Sequence, residues 1–91
     1  MIAILIKPDG TETKIAPKNG KDFQLEELYK LIGCELIEVV YHIKGKGLIM
    51  IVDEEGKLKP NSQPNLQATK YLEFSDTIVG NAVICQKSMF K

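Results

Sequence analysis

The chain has 91 residues, 44% of them hydrophobic, and twelve acidic residues balance twelve basic ones. That length allows one domain with one core, and the composition suits a folded globule rather than a disordered segment. All twelve basic residues are lysines, so the arginine fork that grips phosphates and guanine edges is missing, and neutral charge argues against a nucleic-acid partner.

The start, "MIAILIKPDG", carries apolar residues without a preceding basic region or a small-residue cleavage site, so it does not read as a signal peptide. Residues 2–6 predict a buried strand. Pro8, Asp9 and Gly10 form a turn signal, since Pro presets φ, Asp bonds the local backbone and Gly accepts a positive φ. Residues 11–16 then return as a second strand, and 17–22 are loop.

"FQLEELYKLIG" gives the clearest helix. Leu25, Leu28, Tyr29 and Ile32 recur at helical spacing, Glu27 stands three residues after Gln24 as in a capping box, and Phe23 with Leu28 matches a hydrophobic staple. Gly33 ends it where a left-handed residue is wanted. Residues 35–43 predict a strand with Ile37, Val39, Tyr41 and Ile43 on one face, and Leu36, Glu38, Val40 and His42 on the other. "KGK" at 44–46 reads as a hairpin loop. The unbroken apolar run Leu48–Val52 predicts a central strand covered on both faces, and it is far too short to span a bilayer.

Asp53–Gly56 closes that strand in a turn. Pro60 and Pro64 forbid regular pairing around them. Residues 65–74 predict a second, shorter helix, and 82–86 a last strand after a bend at Gly80-Asn81. The order β-β-α-β-β-α-β predicts an α+β domain, with two helices packed on a mixed or antiparallel sheet. Cys34 and Cys85 lie in apolar stretches and read as reduced core thiols of a cytoplasmic protein.

No constellation compels a chemistry. His42 could be paired with Glu38 and a cysteine as a catalytic set, but nothing in the spacing enforces it, and a surface or half-buried strand histidine is the better reading. Asp53, Glu54 and Glu55 point alternately at a strand end and lack the spacing of a calcium loop, so no metal is expected, and no cofactor either. The glycines of "KGKG" sit between two strands, which rules out a phosphate-binding loop of the P-loop kind. What remains is the uncharged polar stretch of Asn61, Ser62, Gln63, Asn65, Gln67 and Thr69 at the start of the second helix. Structurally, Asn65 and Ser62 would cap the helix and Thr69 would bond back to its own turn. Functionally, the helix start would offer free amides to a ligand or partner, with Gly80-Asn81 nearby.

"ILIKPDG", the helix ending at Gly33, "DEEGKLK", the Asn65–Thr69 pattern N-x-x-A-T and "DTIVGNAVI" at 76–84 occur in this order across nearly the whole chain. In this the sequence resembles a small domain-of-unknown-function family carried mainly by bacteriophages and other mobile elements. The family usually has Asn where Asp53 stands. The resemblance implies a small cytosolic accessory protein and supplies no activity. It makes Asp53, Glu54, Asn65, Thr69, Gly80 and Asn81 the matching positions for a ligand- or partner-binding site. The favoured expectation is a non-enzymatic module that binds a host or phage protein. The alternative is a sponge for a nucleotide-type signal, with helix-start amides on its phosphates and Tyr41, Tyr71 or Phe74 stacked on its base, built at the interface of a homo-oligomer.

Overall fold

A computed structural model describes residues 3–90. Five strands form one antiparallel sheet: β1 (Ala3–Ile6), β2 (Glu12–Lys14), β3 (Ile37–Val40), β4 (Leu48–Asp53) and β5 (Ala82–Gln86), in the spatial order β2-β1-β5-β4-β3. Helices α1 (Leu25–Ile32) and α2 (Leu66–Thr69) complete the predicted succession. The sheet is antiparallel throughout, which resolves the choice left open by the sequence. Ile2, expected in the first strand, lies outside the described residues.

Side chains alternate along β1, β3, β4 and β5, so these four strands feed two cores, while β2 is exposed along its length. Leu5, Ile49, Ile51, Val83 and Cys85 pack on one side with Leu28 and Ile32 of α1. Ile6, Met50, Val52, Ala82 and Ile84 pack on the other with Ala68 of α2, Leu72 and Ile78. The helices therefore cover opposite faces, and the apolar run of β4 is continuous because both faces are dry. Both cysteines are buried as free thiols; burial pushes the Cys85 thiol up to about 11.

Helix α1 keeps its predicted limits. Glu27 accepts from the backbone N–H of Gln24 and of Lys18, both at 2.8 Å, which ties the preceding loop to the first turn. These two donors, Gln24 foremost, hold its carboxyl below the usual carboxylate range. Gly33, at φ +77°, donates to Tyr29 O and closes the helix. Leu25, expected on the inward face, is 46% exposed instead.

Two expectations fail at the same place. The strand predicted over 35–43 stops at Val40, and the helix predicted over 65–74 stops at Thr69. The two segments pair with each other instead: Glu73 N–H donates to His42 O at 3.0 Å and Lys44 N–H to Tyr71 O at 2.7 Å, about an Ile43–Leu72 bridge. This pairing draws Ile43 into the α2-side core, opposite to the face shared by Ile37 and Val39, and it leaves Tyr41 55% exposed beneath the Lys87 ammonium. "KGK" is thus part of a longer connection rather than a tight hairpin loop.

Candidate functional site

Asn65 is fully buried. Its Nδ2 donates to Ile6 O (3.0 Å) and to Gly80 O (2.8 Å), while its Oδ1 accepts from Ala68 N–H (3.0 Å) and so caps α2. Its backbone N–H donates to Ile78 O at 2.7 Å. Thr69 completes the clip: its Oγ1 donates to Asn65 O (2.8 Å) and accepts from Ile78 N–H (2.9 Å). One carboxamide thus pins the helix to the end of β1 and to the bend before β5. These bonds use both amide hydrogens and the carbonyl oxygen, so what the side chain recognises is the chain itself.

Gly80 and Asn81 continue this arrangement onto the other face. Gly80, at φ +82°, turns its carbonyl toward Asn65 and donates its N–H to Gln63 O. Asn81 Nδ2 donates to Leu31 O at 3.1 Å, satisfying one of the carbonyls left unbonded at the C-terminus of α1. Two adjacent residues thereby anchor both helices.

Asp53 and Glu54 diverge. Asp53 points to the α1 side with its side chain only 7% exposed, accepting from Glu55 N–H (2.9 Å) and from Lys59 Nζ (2.6 Å). Lys59 is raised above its ordinary value by that carboxylate. The pair borders a hollow of about 480 Å³ lined by Tyr29, Gly33, Cys34, Glu35, Glu55 and Lys59. Burial, with Asp53 adding to it, pushes the Cys34 thiol up, which disfavours a nucleophilic thiolate there. Glu54 falls on the opposite face.

On that opposite face lies a feature that motif reading missed. The end of β3, the end of β4 and residues 74–79 enclose a cleft of about 170 Å³. Val40, Val52, Phe74, Ile78 and Val79 supply its apolar surface. Glu38, Glu54 and Asp76 bring three carboxylates to it against one ammonium, from Lys57, while Asp53 borders it with its own carboxylate turned to the α1 side. Lys57 is held by Asp76, whose carboxyl it keeps below the ordinary range, and Asp53 is held by Lys59. Glu38 and Glu54 have no partner among the described residues. Since β3 and β4 pair Glu38 with Val52, these two sit diagonally on one face, about 7–8 Å apart between Cα atoms. Two uncompensated carboxylates beside an apolar floor make a receptor for a cation with an apolar stem.

Of the six residues expected at a site, the structure joins Asn65, Thr69 and Gly80 in the clip, sets Asn81 behind it on the α1 side, and lines the cleft with Asp53 and Glu54. Among the described residues no three His, Cys, Asp or Glu side chains gather to hold a metal, and no helix is long and apolar enough to cross a membrane. No curated protein and no solved structure matches the chain. Residues 1–89 match the family model described as a domain of unknown function, DUF3846, and the chain belongs to that family.

Proposed function

We propose that this DUF3846 member is a small cytoplasmic accessory protein of phage or mobile-element type that works without catalysis, by binding a protein partner through the cleft between β3, β4 and residues 74–79. What carries this reading is the cleft's size and charge. At about 170 Å³ it takes one long side chain, whereas sites for drug-sized molecules run to about 300–1,000 Å³. Its net negative lining favours a basic group presented by a larger molecule and opposes a phosphate.

The alternative, sequestration of a nucleotide-type signal, finds less to stand on. The start of α2, expected to cradle phosphates, belongs to a four-residue helix already capped by Asn65. The hollow beside Cys34 is large enough for a nucleotide, but its one ammonium is bonded to Asp53 and two further carboxylates, Glu35 and Glu55, line it.

The test is selection of displayed random peptides on the immobilised chain, with a folded Glu38→Lys/Glu54→Lys double variant as counter-target. Peptides that bind the wild type and lose the variant support partner binding at the cleft. Recovery only of peptides that bind both alike overturns it.

A further inference from the structure

We infer that the cleft's partner is an extended protein segment that adds a strand to the free edge of β3 and places a Lys or Arg side chain between Glu38 and Glu54. The inference rests on the reading of the cleft as a partner site and names what that partner presents.

The backbone supports it independently of the charges. β3 is an edge strand, bonded to β4 on one side only. Glu54 N–H donates to Leu36 O at 3.1 Å, in register with the Ile37–Asp53 and Glu38–Val52 pairs. In an antiparallel ladder, bonding alternates along the strand, so Leu36, Glu38 and Val40 bond to β4. Ile37 and Val39 therefore turn their N–H and C=O groups away from the sheet, and an added strand is what such a row of groups accepts. The side chains of that strand alternate in the same way, so every second one lies on the α2 side, next to Glu38 and the mouth of the cleft.

The charges then select the occupant. A second copy of this chain, paired across the middle of β3, would set Glu38 directly against its own copy, a like-charge contact that destabilises the pairing. A foreign strand bearing a cation at that position replaces the repulsion with a bridge between two carboxylates. The apolar floor of Val40, Val52 and Phe74 receives the methylene stem.

The experiment titrates the isotope-labelled full chain with a capped nonapeptide alternating Lys with Val or Thr, followed by backbone amide resonances. Two further peptides serve as comparators, one with Glu at each Lys position and one N-methylated along its bonding edge. Saturable shifts are expected at Ile37, Glu38, Val39, Glu54 and Phe74. Affinity should be at least tenfold weaker for either comparator, and at least tenfold weaker for the Glu38→Lys/Glu54→Lys variant, whose folding is checked by its melting curve. Equal binding of the Lys and Glu peptides, or no saturable shift, overturns the inference. So does concentration-dependent broadening of the same amides in the free chain, which would give the edge to a second copy. If the display selection yields cleft-dependent peptides without alternating basic residues, the strand inference falls while partner binding stands. If no peptide depends on the cleft, both fall.

Discussion

Asn65→Asp separates capping from clipping. Asp and Asn are nearly equal as N-caps, so if Asn65 only caps α2 the substitution leaves stability within about 0.5 kcal/mol of wild type. The geometry says otherwise, because Nδ2 is 3.0 Å from Ile6 O and 2.8 Å from Gly80 O. A carboxylate there would face two carbonyl oxygens in a fully buried site. Asn65→Ala orphans Gly80 O and Ala68 N–H and removes one bond from Ile6 O, which faces Ala82 of β5 as well; at about 1–3 kcal/mol for each orphaned buried group and about 1 kcal/mol for the third bond, partly relieved by relaxation, the loss is about 3–5 kcal/mol. A chain of this size has about 5–13 kcal/mol in total. At about 4–8 °C per kcal/mol the melting temperature should fall by about 12 °C or more. Asn65→Asp should lose at least as much as Asn65→Ala at pH 7. Urea denaturation followed by far-UV circular dichroism measures both, and an Asn65→Asp protein as stable as wild type would refute the clip.

Asn81→Ala removes one partly buried bond to α1 and should cost about 1 kcal/mol in the same assay, leaving peptide binding at the cleft unchanged. Glu27 has a folded-state pKa below its unfolded one, so its contribution is present above about pH 4.3 and fades as pH falls through the lower folded value. The stability gap between wild type and Glu27→Gln should accordingly be widest near neutrality and shrink in acid, as urea midpoints from pH 6 down to pH 3 would show. An unchanged gap would contradict the two backbone bonds. With an alkylating reagent at pH 8, mass spectrometry of the folded protein should find Cys34, at the rim of its hollow, modified before the fully buried Cys85, and urea should abolish the difference.

Local signals were legible in the sequence, and signals requiring a partner were not. The Pro8–Gly10 turn, the limits of α1 and the span of β5 follow from turn chemistry, capping and periodicity, all decided within a few residues. Asn65 could be read as a cap because Ala68 lies three residues on. Its bonds to Ile6 and Gly80 could not, since they cross 59 and 15 positions of chain. The ends of β3 and α2 were misjudged for the same reason: residues 42–44 and 71–73 satisfy one another's backbone, overriding the local preference of each. The cleft was hidden because Glu38 and Glu54 become neighbours only through the register of β3 on β4. Sequence reading placed Asp53 and Glu54 on opposite faces, yet had no means of knowing which face held a hollow.

The position of β5 also governs how the chain can assemble. β1 with β2, and β3 with β4, are hairpins of neighbouring segments, but they touch no common strand until β5 enters between them. The pair Ala3–Cys85 closes a loop of 85 − 3 = 82 positions, nearly the length of the protein. During synthesis, two hairpins with apolar faces must therefore wait, each exposing an edge, until residue 86 has been made. Pairings this distant in sequence slow folding toward the millisecond-to-second range. A chain cut before Ala82 should remain two unjoined halves, prone to stick to other chains through the gap that β5 normally fills.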